Sequence, residues 1–182
     1  MSKWTDFLLK ALHIISWFIF IGVSIDAGGV LSNTVYAIFI NADLTAHFWG
    51  YIDLSKLYKS NQAFFVTLTA IMSIVTVLKA VLFYIIIKIF TDKKIELSKP
   101  FTQALAKYIY GIAYCALGIG FFSNWGGDLY RTILNQKINI PAIQDLKLGG
   151  ADVWLLMGFV MMVFAIIFKK GIELQSENDL TV

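Results

Sequence analysis

The chain has 182 residues, 58% of them hydrophobic and 15% charged, with a mean hydropathy of +0.72. About 45–50% apolar residues is usual for a soluble domain, so this composition argues against one and for a membrane protein. The formal charge is +3 and Arg131 is the only arginine, which speaks against direct nucleic-acid binding, where arginines commonly read phosphate and guanine. The single cysteine, Cys115, leaves no internal disulfide to hold an outer loop.

In chain order, residues 1–10 form a short polar start with Lys3, Lys10 and an interfacial Trp4. An apolar run follows from Ala11 to Ile40, interrupted by His13, Ser16, Ser24, Asp26 and Asn33. A crossing needs about 20 residues, so residues 8–28 are read as the first span. Residues 30–40 then continue outward or lie along the outer surface. The run far exceeds the roughly 7–15 apolar residues of a signal sequence, and it is expected to be retained. Residues 41–62 form a first outer loop whose Phe48, Trp49, Tyr51 and Tyr58 suit the headgroup region.

The second span covers residues 63–90 and contains one charge, Lys79. Between the second and third spans lies KIFTDKKIELSKPFTQALAK, residues 88–107, with five lysines against Asp92 and Glu96. Short lysine-rich loops stay on the cytoplasmic side, so this loop predicts a cytoplasmic centre and places both termini in the cytoplasm. The third span, residues 108–122, carries Gly111, Ala113, Cys115, Ala116, Gly118 and Gly120. Small residues let helix backbones approach closely, which makes this the expected packing helix. Residues 123–150 form a second outer loop, in which Gly126-Gly127 and Gly149-Gly150 read as punctuation. The fourth span, residues 151–168, ends at Lys169-Lys170 and leaves a cytoplasmic tail, 169–182.

That tail, with the end of the last span, reads FKKGIELQSENDLTV. It resembles the C-terminal signature of the domain-of-unknown-function 2975 family, small four-helix membrane proteins of bacteria. The inner loop is similar too, with Pro100-Phe101 leading to Tyr110-Gly111-Ile112. The resemblance implies a plasma-membrane location and no established activity. It also implies a small helix-turn-helix regulator encoded nearby, and hence a cytoplasmic partner.

Few residues suggest chemistry. Lys79 is an intramembrane charge, a functional candidate because such a charge costs roughly 2.5–3.5 kcal/mol. The alternatives are a stem that snorkels to the inner headgroups or a local polar contact. Counting about 1.5 Å per residue from Lys88 and from Lys10 puts Asp26 some 10 Å further out than Lys79, so no pair between them is expected. Asp26 is read as an interfacial residue beside Gly28-Gly29, and His13 as hydrogen-bonded packing near Ser16. His47 has Asp43 and Asp53 nearby without a recognised metal pattern. Cys115 sits among apolar residues where a thiolate is disfavoured. Paired catalytic carboxylates, a nucleophile elbow and a phosphate-binding glycine loop are not found.

The expected fold is therefore all-α: an integral membrane four-helix bundle with small aromatic-rich extracytoplasmic loops, in the plasma (inner) membrane. No catalytic, cofactor or metal residues are assigned. The expected role is a non-enzymatic component that engages a cytoplasmic partner, such as a transcription regulator, through Glu177, Asn178, Asp179, Leu180, Thr181 and Val182. Lipid is the other expected partner, and a homo-oligomer is compatible with the sequence. The alternative is a small-molecule or ion permease that uses Lys79, Asp26 and His13.

Overall fold

Apolar runs too long for one crossing become single unbroken helices in the computed structural model, which describes residues 3–92 and 102–179. The first helix, α1, is Lys3–Phe39, 37 residues, or about 55 Å at 1.5 Å per residue. A bilayer core is about 30 Å thick, so this helix overshoots it. Residues 8–28 are thus only part of the element, and residues 30–40 extend the same rod. Gly28-Gly29 does not break it, because Gly29 is where Trp49 lies against the helix: a Cβ there would run into the indole ring. Beyond it, Thr34 Oγ1 donates to the Val30 carbonyl (2.8 Å) and lies 3.2 Å from Ser73 Oγ. That contact fastens α1 to the next long helix.

The first outer loop is folded. A 3₁₀ helix at Ala42–His47 is capped by Asn41, whose side chain accepts from the Asp43 amide (2.8 Å). A tight turn through Gly50 and Tyr51, both at positive φ, lets Phe48 and Ile52 exchange backbone hydrogen bonds (2.9 and 3.2 Å). Helix α2, Ser55–Ser60, completes the segment. Asn61 then caps α3, Gln62–Thr91, by accepting from the Phe64 amide (3.1 Å).

Helix α4 is Gln103–Asn135, started by Thr102, which accepts from the Leu105 amide (3.2 Å). It runs more than three turns beyond residue 122, through the glycine pair that reads as a loop in the sequence. Gly126 is helical because packing requires it: a Cβ there would stand 2.7 Å from Leu148 Cδ1 and 3.2 Å from Ile71 Cγ2. Helix α5, Ala151–Asp179, likewise continues through Lys169, Lys170 and Gly171 into the tail. Glu173, Leu174, Gln175 and Glu177 are good helix formers, which offset the single glycine.

The four long helices are each apolar and long enough to cross a membrane. They pack in chain order, α1 on α3, α3 on α4 and α4 on α5. The small residues of α4 serve both neighbours. Gly111 and Gly118 lie against Ile85 and Leu78 of α3, while Gly120 receives Leu155 of α5. Gly158 of α5 returns the contact against Leu117, whose backbone nitrogen would be 2.7 Å from an added Cβ. Helices α1 and α5 are the flanks. Their most apolar windows are only 6% and 11% buried in protein, against 39% and 44% for α3 and α4. Lipid is the natural cover for those exposed apolar faces.

Antiparallel packing collects both chain ends at one end of the bundle. There the His13 ring stacks on Phe90 (5.3 Å between centroids), and the Tyr108 hydroxyl donates to Asp92 (2.8 Å). At the opposite end the two outer loops close over the helices. Phe48, Leu54, Leu57, Phe65, Ile133, Leu146 and Leu148 are fully buried there. Lys93, Lys94, Glu96, Lys99 and the Pro100-Phe101 pair of the inner loop lie outside the described residues, as do Leu180, Thr181 and Val182.

Candidate functional site

Directly beneath the cap, α1, α3, the second outer loop and the start of α5 bring their charged and aromatic side chains together. Lys79 and Thr76 are three residues apart on α3 and so share one face. The Lys79 ammonium donates to the carbonyl of Lys147 (2.8 Å) and stands 5.8 Å from the centre of the Trp154 ring. Asp26 of α1 accepts from Trp49 Nε1 at one oxygen (3.0 Å) and from the Lys147 ammonium at the other (3.1 Å). Lys147 is thus the keystone, with its carbonyl on one charged residue and its ammonium on the other. It holds a left-handed backbone conformation, φ 63°, which is uncommon for a residue with a side chain. The contacts on both sides of it, and the hydrogen bond that its backbone N–H donates to the Gln144 carbonyl (3.0 Å), keep it there.

These groups surround a cavity of about 180 Å³ lined by Val23, Asp26, Thr76, Lys79 and Lys147. Asp26 also lines a wider groove of about 480 Å³, together with Asn33, His47, Trp49 and Tyr51. The cluster holds two ammonium groups and one carboxylate. Among the described residues, Asp26 is ion-paired to Lys147, and no carboxylate lies within ion-pair distance of Lys79. A surplus positive charge therefore faces a small, partly open cavity.

Lys79 and Asp26 line one cavity, although the depth count separates them. The contacts His13–Phe90, Phe20–Tyr84 and Thr34–Ser73 fix the antiparallel register, and by that register residue 26 is level with residue 79. The count takes Lys10 and Lys88 as marking one boundary, but Lys88 lies level with the turn after His13, about 9 Å deeper than Lys10. The two side chains make no direct ion pair, because Lys147 stands between them. Lys79 does not reach toward the end that gathers the chain termini. Its ammonium makes the local polar contact, on the side of the two folded loops.

His13 is apart from this cluster, at the end that gathers the chain termini, where Nε2 accepts from Trp17 Nε1 (3.1 Å). The three permease candidates are therefore one pair and one distant residue. Of the tail candidates, Glu177, Asn178 and Asp179 continue α5 as helix, while Leu180, Thr181 and Val182 are outside the described residues. Sequence reasoning passes over Lys147, Trp49 and Trp154, whose residue types are ordinary in outer loops and helix starts. The usable signal is Gly28-Gly29 beside Asp26: a flat patch next to an acid on an otherwise bulky helix is a place for an indole to lie and donate.

A family model described as "Protein of unknown function (DUF2975)" matches residues 49–182. The matched stretch contains Trp49, Lys79, Lys147 and Trp154, and Asp26 precedes it. No curated protein and no solved structure matches the chain.

Proposed function

The chain belongs to the DUF2975 family of unknown function, and from its geometry we propose a non-enzymatic, multi-pass protein of a plasma (inner) membrane that binds a small organic anion at its extracytoplasmic end. The observation that carries this reading is the Lys79 ammonium, set in a cavity of about 180 Å³ without a carboxylate of its own. Even partial burial of a charge that lacks a counter-charge is costly, and a bound carboxylate beside Lys79 and Lys147 would offset that cost. Liquid water occupies about 30 Å³ per molecule, so the cavity suits a ligand of a few to about ten heavy atoms. Trp154 would shield the group from lipid, and Thr76 would supply a hydroxyl.

Passage across the membrane has less support than binding. Below the cavity the α1–α3 seam is occupied by Phe20 beside Tyr84 and by His13 stacked on Phe90. The test is thermal unfolding of the purified protein in a neutral detergent with acetate and with succinate. A ligand at ten times its Kd contributes about 1.4 kcal/mol, which raises Tm by about 3–6 °C for a chain of this size. Lys79→Met should fold and lose the shift. Wild-type protein that responds to neither acid would remove the proposal.

A second reading concerns the other end, and a specific observation favours it. By the crossings at Gly120 and Gly158, α5 passes the start of α4 near residue 172, so its last turns project beyond the packing partner. Leu174 is exposed there, alongside Glu173. An acidic helix stub with an apolar side chain can dock into a groove of a soluble protein. We infer a cytoplasmic partner of the kind the family resemblance suggests, a small helix-turn-helix regulator. Truncation after Gly171 should leave insertion intact and abolish co-purification of that regulator. Retention of the regulator by the truncated protein would end this reading.

A further inference from the structure

We infer that Asp26 selects the charge of the ligand, so that the Lys79 cavity takes a monocarboxylate in preference to a dicarboxylate. This rests on the anion-binding reading above and names the class of acid that the site takes. The cavity is lined by Val23, Asp26, Thr76, Lys79 and Lys147. In their ionised forms the three titratable side chains of that lining carry two positive charges and one negative. A single negative charge therefore neutralises the site. A second carboxylate on the same ligand would have no cation of its own and would stand near Asp26, where like charges repel.

The geometry fixes Asp26 in this role. One of its oxygens accepts from Trp49 Nε1 (3.0 Å) and the other from the Lys147 ammonium (3.1 Å). The indole lies flat on Gly29, where a Cβ would run into it, so Trp49 holds the carboxylate at the cavity wall. The two cations keep donors to spare. An ammonium has three N–H groups. Lys79 uses one on the Lys147 carbonyl (2.8 Å), and Lys147 uses one on Asp26. A ligand carboxylate can thus accept from both lysines while the Asp26–Lys147 pair stays closed. Asp53 and Asp145 line a different pocket with Lys147, and neither lies within ion-pair distance of it among the described residues. Asp26 is therefore the acid that offsets one of the two lysines. Its side chain and that of Lys147 are each 37% exposed, so solvent screens the pair and the selection is a matter of a few-fold rather than all or none.

The experiment compares butyrate with succinate, which share a four-carbon chain, by isothermal titration into the purified protein in a neutral detergent. The pH is kept above both ionisations of succinate. Ionic strength is held with sodium chloride, which competes equally in the two titrations. Wild-type protein should bind butyrate the more tightly. Asp26→Asn keeps the shape of the side chain and leaves two surplus positive charges, so the ratio of the two dissociation constants should move toward succinate by about fivefold. Asp26→Ala should move it in the same direction without the amide. Lys147→Gln should weaken both acids. Asp26→Asn combined with Lys147→Gln leaves Lys79 as the one surplus charge and should return the preference to butyrate, which a merely structural role for Asp26 would not do. A wild-type preference for succinate, a ratio that neither Asp26 variant moves, or a double variant that keeps the preference of Asp26→Asn overturns the selection by Asp26, with anion binding at Lys79 left standing. Wild-type protein that binds neither acid overturns both.

Discussion

The two ends of the helix bundle are built from different materials. At the end that gathers both termini, the described contacts are ring pairs and tethered charges: His13 on Phe90, Phe20 near Tyr84, Lys88 over the Tyr84 ring at 5.5 Å, and Tyr108 bonded to Asp92. At the other end, two folded loops bury Phe48, Leu54, Leu57, Leu146 and Leu148 over the helices, and Trp49, Asp26, Lys147 and Lys79 stitch that cap to the bundle. Within lipid, apolar side chains gain little by leaving one apolar surrounding for another, so close packing has to hold the helices. Where loops leave the bilayer, water returns and the hydrophobic effect can hold them down. The capped end is where Asp26, Lys79 and Lys147 are brought around a small, partly open cavity.

The largest test of this contrast is all-or-none. If the cap is extracytoplasmic, Ser60→Cys and Gln144→Cys should react with an impermeant thiol reagent on intact cells. Ser98→Cys, in the lysine-rich connection, should react only after the membrane is opened. Gln144 and Ser60 are exposed, and Cys115 is buried in α4, so a Cys115→Ala background is a clean control. Labelling of Ser98→Cys from outside would invert the molecule and place the anion cavity on the cytoplasmic side.

How much of this was legible in the sequence follows from the same physics. Four apolar runs and the small-residue face of α4 are patterns in single segments, and the helices follow them. The helix ends are less legible. Gly126-Gly127 and Gly171 look like stops, yet the chain stays helical through both. At Gly126 the reason is a leucine 22 residues further on, whose side chain needs the space. No local pattern carries that information. The same limit applies to the charged cluster. Asp26 and Lys79 were each visible as anomalies, but their meeting depends on an inter-helix register set by Phe90, Tyr84 and Ser73. Lys147 was invisible for the opposite reason, since a lysine in an outer loop is ordinary until its backbone carbonyl is found on a half-buried ammonium.

The finer test compares one phenylalanine from each end. Phe48 is fully buried in the cap, edge-on to Phe65 at 6.5 Å between ring centroids, and its backbone is paired with Ile52. Phe48→Ala removes a ring that water would otherwise reach and leaves a cavity under the loop. Substitutions of this kind cost about 3–5 kcal/mol. Phe90 is half-buried at the C-terminal end of α3, stacked on His13 with an interplanar angle of 17°. In detergent or lipid, Phe90→Ala exchanges one apolar contact for another, so mainly the ring–ring term is lost, about 0.5–1.5 kcal/mol. Unfolding of both variants in mixed micelles of rising denaturing-detergent fraction should therefore separate them by at least about 1.5 kcal/mol, with the cap variant the weaker. Loss of acetate or succinate binding should accompany Phe48→Ala alone, since Phe48 is adjacent to Trp49, which holds Asp26. Equal losses at the two ends would mean that the cap is packed no differently from the lipid-facing seam, and the physical contrast between the ends would fail.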